Sequence, residues 1–157
     1  MKSRLYLETT VPSYLTSRPS RDLVIAARQQ ITREWWERRR GSFQIYISQL
    51  VLDEAGAGDT AASRERLKVL QSLPLLEITA DVTVLASSFL ASGTIPRKAA
   101  TDAAHIAIAA VHGMDFLVTW NCVHIANAAI AKSLALISLK HGYECPVICT
   151  PEALWKG

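Results

Sequence analysis

The chain has 157 residues, with 17 lysines and arginines against 14 aspartates and glutamates, a net charge of +3 with histidines neutral. Half of the residues are hydrophobic and a fifth are charged, which excludes a disordered tail or a low-complexity segment and fits one domain over residues 1–157. No stretch reaches the ~18 apolar residues of a membrane span, and Met1-Lys2-Ser3-Arg4 with Glu8 close behind leaves no signal-peptide core, so no membrane and a cytoplasmic location are expected.

Arg4 to Leu7 reads as a first strand. Pro12 suits the first turn of a helix, with Thr10 or Val11 just before it. Residues 23–40 read as a long helix, with Val24, Ala27, Ile31 and Trp35 as its buried stripe. Phe43 to Ser48 is rich in aromatic and β-branched residues and predicts a second strand. A short helix follows over Gln49 to Ala55, broken by Gly56 and Gly58. Asp59 or Thr60 caps a helix over 61–72, and Leu75 to Ile78 predicts a third strand containing Glu77.

Residues 81–92 predict another helix. Pro96 opens an alanine-rich helix that Gly113 stops after His112. Asp115 to Thr119 predicts a fourth strand, 124–141 a last long helix, and Pro146 to Cys149 a fifth strand. Strands alternating with helices define an α/β class with a mostly parallel sheet of about five strands and right-handed crossovers.

Absent motifs narrow the function. There is no Walker phosphate loop, no G-x-G-x-x-G and no G-x-S-x-G. Cys122, Cys145 and Cys149 are too few for a disulfide framework, and the lone C-x3-C of Cys145 and Cys149 lacks a second pair for zinc, so those two read as buried thiols.

In parallel sheets, ligands bind beyond the carboxyl ends of the strands. Glu8, Thr9 and Thr10 follow the first strand, Asp53 and Glu54 the second, and Thr119 and Asn121 the fourth. Asp102 lies near the start of the alanine-rich helix. Three carboxylates and one amide therefore converge at one sheet edge. Carboxylates within ~4–6 Å repel unless a cation intervenes. Oxygen ligands suit hard cations such as Mg²⁺ or Mn²⁺, which assist phosphodiester hydrolysis.

Four segments carry a resemblance. Tyr6-Leu7-Glu8-Thr9-Thr10-Val11-Pro12-Ser13-Tyr14-Leu15 resembles the opening of PIN-domain proteins. Ser48-x-x-Val51-x-x-Glu54 with Gly58-Asp59 is similar to their second acidic segment, and Asp102-Ala103-Ala104-His105-Ile106-Ala107 to their third. Leu117-Val118-Thr119-Trp120-Asn121-x-x-His124-Ile125-Ala126-Asn127 resembles the fourth in one branch. The resemblance implies a three-layer α/β/α PIN-like fold and a metal-dependent endoribonuclease, with toxins of the VapC type among its relatives. It implies RNA as substrate, an antitoxin partner and a homodimer. Carried over, Glu8, Glu54, Asp102 and Asn121 are catalytic residues and ligands of Mg²⁺ or Mn²⁺. Thr10 and Thr119 orient a ligand or water. Position 8 is Glu where the family commonly has Asp, and position 121 is Asn where a carboxylate is common. One charge fewer implies one well-held ion, a second arriving with substrate.

Other readings stand beside these. Asp53 and Glu54 are helix neighbours and cannot both face one point; the family spacing favours Glu54. His105, three residues after Asp102, either helps position Asp102 or a phosphate, or is a satisfied buried histidine. His112 reads as structural, and His124 as solvated or helix-capping. Trp35 reads as core, and Trp120 as core or pocket wall. Arg28, Arg33, Arg38, Arg39 and Arg40 form either a phosphate-binding face or a solvated or dimer surface, and carry with Glu34 and Glu37 the whole excess charge. Arg64, Arg66 and Lys68 make a second basic strip. The rival function is the same fold with a degraded pocket, binding RNA or a partner without cleaving. A receiver-like domain fits less well: it needs an acceptor Asp closing a central strand and a later Lys, whereas Lys132 and Lys140 fall inside a helix.

Overall fold

The computed structural model describes residues 1–155. Leu5, Tyr6 and Leu7 have no solvent exposure at all, so the first strand is covered on both faces. This strand, β1 (Ser3–Leu7), lies in the middle of a five-stranded sheet. Around it are β2 (Phe43–Ser48), β3 (Leu75–Leu76), β4 (Phe116–Val118) and β5 (Val147–Cys149), in the order β3-β2-β1-β4-β5. Every pairing is parallel; Leu5 faces Ile45 on one side and Phe116 on the other.

Among the described residues, seven α-helices cover the sheet. They are α1 (Thr10–Thr16), α2 (Leu23–Arg39), α3 (Gln49–Ala55), α4 (Thr60–Leu70), α5 (Ala80–Ala91), α6 (Ala100–Val111) and α7 (Ala131–Lys140). The path from β1 through β2 to β3 runs outward in one direction, and the path through β4 to β5 runs the opposite way. Right-handed crossovers then put α1–α4 on one face and α5–α7 on the other. The packing agrees: α1 meets α2 and α4, while α5 meets α6 and α7. This is the three-layer α/β/α arrangement expected from the sequence. The reversal between β1 and β4 opens a crevice beyond their carboxyl ends.

Local chemistry sets the helix ends. Asp22 accepts from the Val24 and Ile25 amides, Asp59 from Ala62, and the Thr79 hydroxyl from Val82. Gly113, at φ +67°, ends α6: its N–H bonds Ala110 O and the Met114 N–H bonds Ala109 O. That reciprocal pair needs a left-handed residue, which only glycine takes without strain.

Three expectations are corrected. The buried face of α2 is Gln29, Thr32 and Trp35, whereas Val24 is 62% exposed and Ala27 also faces solvent. Gln29 is buried because its amide clamps the preceding loop: it donates to Ser17 Oγ and Arg18 O and accepts from the Ser20 N–H. The helix expected from 124 begins only at Ala131. Asn121 Oδ1 accepts from the His124 N–H and Asn127 Oδ1 from the Ala129 N–H, so side chains take the amides that a helix would use. The third strand is only Leu75–Leu76; Glu77 lies beyond it and gives its carbonyl to His112 Nε2. That contact ties the end of α6 to the end of β3.

Trp35 is core as expected, packed by Trp36 and Phe43. Its Nε1 is the one enclosed side-chain polar atom without a partner among the described residues. None of the three cysteines is in a disulfide; Cys145 and Cys149 are half-buried and Cys122 is exposed. Among the described residues, no helix is long and apolar enough to cross a membrane.

Candidate metal centre

Glu8 stands one residue past β1, where its backbone N–H still pairs with Val118 O. Its residue is only 4% exposed. Oε1 accepts from the Thr10 amide at 3.1 Å, from the Thr10 hydroxyl, and from the Thr119 hydroxyl at 2.7 Å. These two threonines are themselves held: Thr10 Oγ1 accepts from the Trp120 N–H and Thr119 Oγ1 from the Asn121 N–H. Thr10 and Thr119 thus orient Glu8, and they come from the ends of the two strands that flank the crevice.

Glu54 enters from α3. Its Oε1 accepts from Thr9 Oγ1 at 2.7 Å and from His105 Nε2 at 2.6 Å. Its neighbour Asp53 instead accepts from Gln49 at 2.9 Å, on the exposed surface. Burial pushes the Glu54 carboxyl up. The hydrogen bond from His105, and then that from the Thr9 hydroxyl, oppose burial, and the group is held below its ordinary value. Glu8, Glu54 and His105 offer ligand atoms that all lie within 4.8 Å of one another.

Behind them is a residue that sequence reasoning did not single out. Tyr6 is completely buried, and its hydroxyl lies 2.7 Å from His105 Nδ1 and 2.8 Å from Ser48 Oγ. Burial first, with the charges of Glu8 and Glu54 adding to it, pushes the phenol well above its ordinary value; the Ser48 hydrogen bond opposes them. A tyrosine inside an aliphatic central strand was the available signal, because a buried phenol needs a partner.

Asp102 and Asn121 lie along the same edge but are tied to each other's neighbourhood rather than to Glu8. Asp102 Oδ2 is 3.1 Å from His124 Nδ1, and Asn121 Oδ1 accepts from the His124 N–H at 3.0 Å. His124 is therefore a partner of Asp102, not a solvated or merely capping residue. His105 is completely buried, as one of its two readings had it, and bonds Glu54 and Tyr6 rather than Asp102.

Trp120 forms wall and core together. It is 4% exposed, stacks on Tyr14 at 5.9 Å, and donates from Nε1 to Thr32 Oγ1 at 2.8 Å. The Arg28 guanidinium lies over its ring at 5.2 Å. The other helix arginines do not form one row: Arg33 donates to Ser17 O, Arg39 to Leu154 O and Ser42 Oγ, and Arg40 lies over Trp36. In the second strip, Arg66 is taken up by the Ala55 and Ala57 carbonyls.

The donor set fits a divalent cation. Each of Glu8 and Glu54 spends Oε1 on protein donors, and Oε2 of each has no hydrogen-bond partner among the described residues. Glu8 Oε2 is not an enclosed orphan, and the Glu54 side chain is 38% exposed. Paired carboxylates with one oxygen pinned and one open are suited to a hard cation.

Fold and site together define a parallel α/β domain with a carboxylate centre at its topological switch point. A family profile described as PIN domain matches residues 5–121, and the chain belongs to that family. No curated protein matches it. Among solved structures, it is similar to a chain of VapBC2 from Rickettsia felis bound to a DNA fragment from their promoter. The TM-score is 0.58 at 15% sequence identity, covering 93% of this chain and 97% of that one, a likeness of fold.

Proposed function

We propose that this protein is a divalent-cation-dependent endoribonuclease that hydrolyses RNA phosphodiester bonds. The carrying observation is the approach of Glu8, Glu54 and His105 within 4.8 Å at the β1/β4 crevice. Glu8 and Glu54 hold the cation through their open oxygens. Asp102 and Asn121 extend the acidic edge, and His124 spans the two. Bound there, Mg²⁺ or Mn²⁺ would neutralise charge on the phosphodiester that water attacks and on the sugar oxygen that leaves. Thr9, Thr10 and Thr119 keep the carboxylates aimed, and Arg28 offers a phosphate contact beside them.

RNA cleavage is to be compared with Mn²⁺ and with EDTA, for the wild type, Asp102→Asn and Glu54→Gln. Loss with EDTA and in both variants supports the reading. Equal cleavage throughout overturns it.

A second reading is favoured by one specific contact. His124 occupies both Asp102 Oδ2 and Asn121 Oδ1 and His105 occupies Glu54 Oε1, which leaves Glu8 as the one of the three carboxylates without a histidine partner among the described residues. On that reading the domain binds RNA or a partner without cutting, and RNA is retained intact with Mn²⁺ present.

The similarity to a toxin–antitoxin assembly supports a protein antitoxin as partner and a cytoplasmic toxin role. Exposed Leu23 and Val24 on α2, and Leu136 and Leu139 on α7, leave apolar surface for an antitoxin and for a homodimer. Light scattering of the purified chain and co-expression with the neighbouring reading frame test these two assemblies.

A further inference from the structure

Ser48, Tyr6 and His105 each have no solvent exposure, and they stand in a row from the end of β2, across β1, to α6. The row ends on the half-exposed Glu54 carboxylate, whose side chain is 38% exposed. The order of protons along it can be worked out from its ends. Ionised Glu54 only accepts, so the 2.6 Å contact requires a hydrogen on His105 Nε2. A neutral imidazole with that hydrogen has a lone pair on Nδ1. Tyr6 then donates its single hydrogen to Nδ1 across 2.7 Å and accepts from Ser48 across 2.8 Å. Every hydrogen has a place.

The reverse order does not close. If Nε2 is stripped to ligate a cation, Nδ1–H donates to Tyr6 and Tyr6 donates to Ser48. The Ser48 hydrogen then has no acceptor among the described residues, inside a site with no water access. An imidazolium gives the same orphan. Leaving a buried donor unmade is costly.

A second observation points the same way. Ser48 and Thr9 are the N-cap residues of α3 and α1, yet neither side chain caps its helix. Thr9 turns its hydroxyl to Glu54 and Ser48 turns its own to Tyr6. Both forgo the usual use of a hydroxyl at that position.

We propose that Ser48 and Tyr6 are positioning residues of the metal centre: they hold His105 as an Nε2–H donor, and through it they aim the Glu54 carboxylate. His105 is then an outer support and not a nitrogen ligand, which leaves an all-oxygen inner set. The cation part rests on the function proposed above; the proton order does not.

The test is ¹⁵N NMR of the imidazoles with Mn²⁺ calorimetry, on the wild type, Tyr6→Phe and Ser48→Ala, each checked for folding by circular dichroism. The wild type shows His105 as the Nε2–H tautomer. Tyr6→Phe strips the Nδ1 lone pair of its donor, which moves the Nδ1 resonance to that of a free imidazole nitrogen, and it weakens Mn²⁺ binding about tenfold or more, the usual effect of losing an outer partner. Ser48→Ala loosens the Tyr6 hydroxyl and shifts both readings in the same direction, and it carries the test if Tyr6→Phe does not fold. A wild-type Nδ1–H tautomer, or folded variants with an unchanged Nδ1 resonance and unchanged Mn²⁺ affinity, overturns the proposal. If the wild type binds no Mn²⁺, the function proposed above fails, and the NMR result still decides the proton order.

Discussion

His105 Nε2 donates to Glu54 Oε1 over 2.6 Å, joining a completely buried ring to a carboxylate open to solvent on its other side. This bond ties α6 to α3 across the end of the sheet. Glu54 lies on a helix of only seven residues, and without this bond only the Thr9 hydroxyl holds its side chain back from water.

Glu54→Gln keeps the shape and removes the charge. Mn²⁺ affinity and RNA cleavage are expected to fall at least tenfold while the far-ultraviolet circular dichroism stays unchanged. Calorimetry and a gel cleavage assay read the two effects. Unaltered Mn²⁺ affinity places the cation away from Glu54.

The same carboxylate sets a pH dependence. Its value in the fold is held below the ordinary 4.5, so it contributes stability that is fully present above 4.5. That contribution is lost as pH falls through the lowered folded value. Thermal melts in acid are expected to show a smaller loss for Glu54→Gln than for the wild type. Parallel pH profiles for the two proteins contradict this.

Thr10→Val removes a hydroxyl that donates to Glu8 and accepts from the Trp120 amide. The side chain keeps its volume but leaves the Trp120 N–H without its partner, at a cost of about 1–3 kcal/mol. Urea denaturation measures the loss. Mn²⁺ binding is expected to weaken as well, because Glu8 loses a donor.

Arg28 lies over Trp120, beside the residues that hold Glu8, and touches no carboxylate of the centre. Arg28→Ala is expected to weaken RNA binding and to lower the salt slope of affinity by about 1. Metal affinity stays as in the wild type. Fluorescence anisotropy over a salt series is the measurement; an unchanged slope removes Arg28 from the RNA surface.

The thiols separate by environment. Cys122 is exposed, whereas burial pushes Cys145 up, against its Ser138 hydrogen bond, and pushes Cys149 up to about 11. Iodoacetamide at neutral pH is expected to label Cys122 first and Cys149 last, as peptide mass mapping reads. The raised Cys149 value favours the neutral thiol in the fold. Its stabilisation is present below 9.0 and lost as pH rises towards 11.

The elements and their order were legible in the amino-acid pattern, because strand and helix periodicities are local and Gly113 and Asp59 mark ends chemically. So was the gathering of acids at the strand ends, which follows from parallel connectivity alone. The family resemblance favoured Glu54 over Asp53, and Glu54 is the one of the two that bonds Thr9 and His105.

Partner choice was not legible. Asp102 and His105 share one face of α6 at a spacing of three, and that spacing favours pairing them with each other. Only the packing of α3 and of the 121–124 turn against α6 gives Glu54 to His105 and His124 to Asp102. The face of α2 was misjudged for a related reason: burial follows what a helix packs against, and Gln29 is buried by a loop that it clamps. Tyr6 and Ser48 are 42 residues apart and meet only because β1 and β2 lie side by side. Periodicity is a property of one element, whereas a hydrogen-bonded site is assembled from several, so its pairings exist only once the sheet and both helix layers have closed.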